Sequence, residues 1–143
     1  NVAPDSAPTW SPDGSRIAFQ THDGELSHLC IIGRDGLGQN CVTSAMAKYS
    51  PPAWSPDGNW IAASTPDSGI HLFNLADNSM TQLSAPGIKP LGIPSWSPDG
   101  LRLVLQAQTG GSTELFMTLI HTNEFTQLTF TNSYNGELHW FNN

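Results

Sequence analysis

Three carboxylates recur at regular intervals along the chain, Asp13, Asp57 and Asp99, each followed by a glycine: Gly14, Gly58 and Gly100. Three such carboxylates meeting at one point would hold a divalent cation or carry acid–base chemistry. Their context points elsewhere. Each sits in the tetrapeptide Ser-Pro-Asp-Gly, which is a tight turn in its own right. Proline presets φ near −65° at the second turn position, aspartate accepts hydrogen bonds from nearby amides, and glycine takes the positive φ that a bulged hairpin needs. Identical residues in one turn of successive repeats are expected to lie far apart, so no metal site is expected of them.

The other candidates for chemistry are few. His22, His28, His71, His121 and His139 contain no His-x-His or His-x-x-x-His spacing, and only His22 has an acidic neighbour, Asp23. A metal would need ligands converging from separate repeats. No Gly-x-Ser-x-Gly nucleophile elbow and no glycine-rich phosphate loop occurs. The reading is therefore of a non-enzyme without catalytic residues or cofactors. Cys30 and Cys41 flank the Gly33–Gly38 turn, opposite or diagonal to each other across one hairpin. Two readings stay open: a cross-strand disulfide or two free buried thiols. A disulfide would suit an oxidising compartment, the periplasm or the outside of the cell.

What positions these residues is a repeat. Pro8-Thr9-Trp10-Ser11-Pro12-Asp13-Gly14 returns as Pro52-Ala53-Trp54-Ser55-Pro56-Asp57-Gly58 and as Pro94-Ser95-Trp96-Ser97-Pro98-Asp99-Gly100. The tryptophans are 44 and 42 residues apart, and Trp140 follows after another 44. After each turn come three short apolar or β-branched runs, separated by turns such as Pro66-Asp67-Ser68-Gly69 and Arg34-Asp35-Gly36. Runs of that length bounded by turn residues are strands, and no segment sustains a helical period. Each unit is thus a four-stranded antiparallel meander, the size and strand count of a β-propeller blade. The expected architecture is all-β: blades at about 8–44, 52–85 and 94–130, with 136–143 beginning a further blade or exchanging a terminal strand. The tryptophan that ends each innermost strand is expected to fill the wedge between blades.

The pattern Pro-x-Trp-Ser-Pro-Asp-Gly-x-x-Ile/Leu resembles the TolB-type WD40-like (PD40) propeller repeat. Asp35-Gly36-Leu37-Gly38-Gln39 resembles the family's third turn, and Thr81-Gln82-Leu83-Ser84 and Thr126-Gln127-Leu128-Thr129 resemble its last strand. The resemblance covers about residues 8–130. It implies a six-bladed ring, and a setting either in periplasmic TolB-like proteins or in the propeller domains of prolyl-oligopeptidase-like and tricorn-like peptidases. Fold alone does not choose among these functions. After Trp140 the sequence Phe141-Asn142-Asn143 departs from the repeat.

Composition narrows the partners. Five Lys and Arg against twelve Asp and Glu give a net charge of −7, which disfavours a phosphate backbone as partner. No apolar run approaches the ~20 residues of a spanning helix, so no membrane insertion is expected. Protein partners or further copies of the chain remain. Propeller contacts lie on loops at one face, here Ala45–Ser50, Pro86–Ile93, Thr131–Gly136, Thr21–Gly24, Thr65–Gly69 and Gln108–Gly111. Within or beside them His22, Asp23, Lys48, Tyr49, Asp67 and Tyr134 are the candidate contact residues. The 143 residues hold only three full blades, and three blades cannot close a ring. Either two chains pair, or the chain is a piece of a longer propeller, or open stacks join head to tail into a filament. The Trp140 strand weighs against a simple two-chain ring and favours a fragment or an exchange of terminal strands. A protein-binding or self-assembling scaffold is the first reading, and a propeller excised from a larger enzyme the second.

Overall fold

The computed structural model describes residues 5–23, 26–43 and 50–130. Among them run twelve strands: β1 Ser6–Trp10, β2 Arg16–Asp23, β3 Leu26–Gly33, β4 Asn40–Cys41, β5 Ala53–Trp54, β6 Trp60–Thr65, β7 Gly69–Asn74, β8 Met80–Leu83, β9 Lys89–Trp96, β10 Arg102–Thr109, β11 Ser112–Leu119 and β12 Phe125–Gln127. They form three four-stranded sheets, each strand pairing with its neighbours in the sequence. Every pairing is antiparallel. These are three propeller blades. The expected start of a fourth, with Trp140, lies outside the described residues.

The Ser-Pro-Asp-Gly turns form as their residues dictate. The amides of Gly14, Gly58 and Gly100 donate to the carbonyls of Ser11, Ser55 and Ser97 at 2.9–3.0 Å, and these glycines take φ of 67°, 71° and 70°. Each serine hydroxyl donates to the aspartate of its own turn and accepts from the amide that opens the next strand, Arg16, Trp60 or Arg102. The turn before each outermost strand also holds a left-handed residue, Gly36 (with Gly38), Asn78 or Asn123. Asparagine is among the few residues with a side chain that visit this region readily.

Two strands run further than their apolar segments suggest. Thr21-His22-Asp23, expected in a loop, continues β2 to the Asp23↔Leu26 pair. Lys89–Ile93, expected within the Pro86–Ile93 connection, belongs to β9. There the register shifts opposite Val104 and Gln106, and Gly92 at φ 73° gives the chain the conformation a bulge uses before the ladder resumes.

Alternate residues of each strand face opposite ways, so each inner blade faces two neighbours. Blades 1 and 2 meet over Ala18, Leu29, Ile31, Trp54, Ile61, Ala63 and Phe73. Blades 2 and 3 meet over a larger cluster that includes Leu72, Leu83, Trp96, Leu103, Leu105 and Phe116. Two polar rungs accompany each seam. The indole N–H of Trp54 donates to Thr9 O at 3.2 Å, and that of Trp96 to Ala53 O at 3.0 Å. Towards the other end, Gln20 Nε2 donates to Ser50 O and Ser64 Oγ to Gly92 O, both at 2.6 Å. A buried indole therefore fills the wedge with its N–H satisfied, the arrangement in which tryptophan stabilises most.

Candidate functional site

The turn carboxylates are occupied by their own turns. Hydrogen bonds from the Ser11 hydroxyl and from the amide and hydroxyl of Ser15 hold Asp13 far below the usual carboxylate range. Asp99 is lowered in the same way by Ser97 and the Leu101 amide, with Arg102 beside it. Arg102 Nη1 stands 2.8 Å from Asp99 Oδ2. Some desolvation works against the charge of Asp57, yet the Ser55 hydroxyl and the Asn59 amide still lower it. All three are anions with committed oxygens, and among the described residues no group of three His, Cys, Asp or Glu converges.

The expectation that equivalent turns lie far apart needs correction for neighbours. A Cβ placed on Gly58 would lie 3.7 Å from Pro12, and one on Gly100 3.7 Å from Pro56. Successive turns therefore touch, because the seam draws the blade ends together. Asp57 and Asp99 consequently border one groove of about 400 Å³, walled by Trp60, Leu101, Ile120 and His121. A second groove, of about 340 Å³, lies between the β3–β4 hairpin of blade 1 and Leu75 of blade 2.

The loop-face candidates do not gather into a site among the described residues. His22 is half-buried and held from both sides, with Ser6 Oγ 3.0 Å from Nε2 and Ser27 Oγ 3.0 Å from Nδ1. Asp67 is exposed in the β6–β7 turn. Lys48, Tyr49, Tyr134, His139 and the side chain of Asp23 lie outside the described residues. Of the other histidines, His71 is the buried one, 1% exposed at the seam of blades 1 and 2, and desolvation pushes its imidazole below the ordinary value.

Cys30 and Cys41 are direct register partners, and a disulfide joins them in the structure. Val42 N donates to Leu29 O at 2.8 Å, which makes Cys30–Cys41 a non-hydrogen-bonded pair, the closer of the two antiparallel spacings. The same register position holds His71 and Gln82 in blade 2, and Phe116 and Gln127 in blade 3. The bridge anchors β4, which is only two residues long.

The repeat tryptophans split into two classes. Trp54 and Trp96 are 9% and 7% exposed, whereas Trp10 is 58% exposed. A Cβ on Gly14 would meet nothing within 4 Å. Further along the same face of blade 1, Phe19 and Cys30 are buried. The open region is thus the turn end of the face, around Trp10. Sequence reasoning also missed Arg16, whose guanidinium lies 5.0 Å from the Trp54 ring centroid and whose Nη2 donates to Gly58 O at 2.9 Å. A signal was present: the second residue after each turn glycine reads Arg16, Trp60, Arg102.

The model of the TolB β-propeller domain, PD40, matches residues 3–143. The chain belongs to that family. Among solved structures, the chain is similar to TolB from Acinetobacter baumannii at 20% identity and TM-score 0.71, covering 90% of this chain and 33% of that one. A putative TolB from Agrobacterium tumefaciens matches at 16% identity and TM-score 0.74, over 89% of this chain and 50% of that one. A puromycin-hydrolyzing peptidase of Mycobacterium tuberculosis matches at 16% identity and TM-score 0.69, over 91% of this chain and 22% of that one. At these identities the likeness is one of fold. The chain spans between a third and a half of the TolB proteins it matches. No curated protein sequence matches it.

Proposed function

We propose that this TolB-family propeller segment is a non-enzymatic scaffold that binds protein or further copies of itself, and that the face around Trp10 takes another propeller blade. One observation carries the reading. Trp54 and Trp96 each sit on the inner strand of the preceding blade, and Trp10 presents the same residue from the same turn with no described blade before it. An exposed indole of this kind favours association. A net charge of −7 directs the reading to protein rather than nucleic acid, and no helix among the described residues is long and apolar enough to cross a membrane. The Cys30–Cys41 bridge supports a periplasmic or secreted location. Two titratable thiols in protein purified without reductant would argue against that location.

Sedimentation equilibrium of the 143-residue chain at micromolar concentration tests the assembly. We expect two or more chains per particle, loosened by Trp10→Ser; mass that keeps growing with concentration would identify a filament subunit. A well-folded monomer overturns the reading. The peptidase match, in which this chain covers 22% of its relative, favours one alternative: the propeller domain of a larger enzyme. A gene continuing into an α/β-hydrolase pattern with Gly-x-Ser-x-Gly would establish that alternative.

A further inference from the structure

The three outermost strands are held by different means. In blade 2, β8 ends on Leu83, which is buried in the cluster between blades 2 and 3. In blade 3, β12 begins with Phe125, packed against the same cluster. In blade 1 the residue at the register position of Phe125 is Gln39, and it is exposed, as are both residues of β4. Beyond β4, Val42 reaches the cluster of blades 1 and 2 half-buried, and Thr43 Oγ1 accepts from Leu29 N at 2.8 Å. So little packing repays poorly the entropy of ordering the segment. Blade 1 has a covalent bond instead, where blades 2 and 3 pair His71 with Gln82 and Phe116 with Gln127.

The two ends of that bond are unequally placed. Cys30 is fully buried on β3, whereas Cys41 is exposed, so a thiolate arriving from solvent meets Cys41. The strand that the bond retains covers a long apolar one. β3 runs for eight residues and carries Leu29-Cys30-Ile31-Ile32 in succession, the kind of edge that β-proteins keep covered. Without β4 and the residues beside it, Leu29 O would lose Val42 N, and the amides of Leu29 and Gly33 would lose Thr43 Oγ1 and Leu37 O. The same hairpin supplies Leu37, Asn40 and Val42 to the groove of about 340 Å³ beside Leu75, so that wall would go with it.

We propose that the Cys30–Cys41 bridge is a redox latch: reduction by a dithiol releases β4 and bares the edge of β3, while the rest of the three blades stays folded. The step balances. One thiolate of the reductant attacks Cys41 Sγ, the bond between the two sulfurs breaks, and Cys30 leaves as a thiolate that takes up a proton. The second thiol of the reductant then displaces Cys41 from the mixed disulfide. Two electrons pass, giving two protein thiols and one disulfide in the reductant. The latch goes beyond the assembly reading and does not rest on it, since a monomeric chain carries the same bridge.

The test is amide hydrogen exchange of the ¹⁵N-labelled 143-residue chain, followed by NMR before and after treatment with dithiothreitol, with the thiols counted in parallel. In the reduced chain we expect exchange at Leu29, Gly33 and Val42 to be at least about tenfold faster, with β6, β7, β10 and β11 unchanged. Reduction should proceed from the folded chain, at a rate that urea leaves unaltered below the unfolding transition. Cys41→Ser should show the fast exchange without reductant and no response to it. If that variant does not fold, reduction of the natural chain decides alone. Three results would each overturn the latch. They are unchanged exchange at those amides once the bridge is gone, loss of protection throughout the chain at once, and a reduction rate that rises with urea in step with global unfolding.

Discussion

The seam between blades 1 and 2 and the seam between blades 2 and 3 use the same tryptophan and the same indole-to-carbonyl bond, yet their turn ends close differently. The first has the smaller apolar cluster and adds Arg16, which stacks on Trp54 and bonds Gly58 O. The second has the larger cluster, built on Leu72, Leu83, Leu103, Leu105 and Phe116, and puts Trp60 at the position of Arg16; a groove lies beside each, of about 340 Å³ at Arg16 and about 400 Å³ at Trp60. One position in the repeat, two residues after the turn glycine, makes the difference. A repeat protein can therefore keep its stacking interface constant while a single variable position decides whether a cation or an indole spans the turn end of a seam.

Three measurements break or sharpen this comparison. The largest effect belongs to the wedge residue. Trp96→Ala should cost about 3–5 kcal/mol in urea denaturation and Trp54→Ala a similar amount, while Trp10→Ala should cost under about 1 kcal/mol in the single chain. Equal losses at Trp10 and Trp96 would mean that the first blade's face is closed. Next is the Arg16 bridge. Arg16→Gln removes a stacked cation and a hydrogen bond at a half-buried site and should cost about 1–2 kcal/mol. A loss below the resolution of the melt would reduce Arg16 to a surface residue.

The smallest effect separates the seams by pH. His71 lies on the face of blade 2 towards blade 1, and the equivalent residue in blade 3 is Phe116. Desolvation lowers the His71 pKa below the ordinary imidazole value near 6.5. The folded state therefore binds its proton less readily than the unfolded chain does. Stability from this group is complete above about pH 6.5 and falls as pH drops through and below it. The shifted carboxylates Asp13, Asp57, Asp77 and Asp99 titrate well below this window. Urea midpoints followed from about pH 7.5 to pH 5.5 should decline for the natural chain and flatten in His71→Phe, which carries the blade 3 residue. Parallel declines in both proteins would place the pH dependence elsewhere.

Much of the blade was legible because its signals are local. Pro12, Asp13 and Gly14 make a turn whatever surrounds them, and so do their two later copies. Gly36, Asn78 and Asn123 mark left-handed positions by residue type alone. The strand ends were less legible. Thr21-His22-Asp23 has the polarity of a loop, and its ladder with β3 is maintained by backbone bonds and by the two hydroxyls holding His22. The start of β9 was hidden by Pro90 and Gly92, residues that read as breakers until a bulge accommodates them. That Asp57 and Asp99 border one groove was invisible, because a repeat shows what each blade contains and not how tightly successive turns abut.

By itself the sequence determined three blades, their turns and the residue that wedges them, since these follow from backbone preference and a short-range pattern. Tertiary structure alone decided that Trp54 and Trp96 are buried while Trp10 is exposed, that Cys30 faces Cys41, and that Arg16 reaches across one seam to the Trp54 ring and Gly58 O. Those outcomes depend on which blade stands beside which, and packing across a seam joins residues some forty positions apart that no local signal connects.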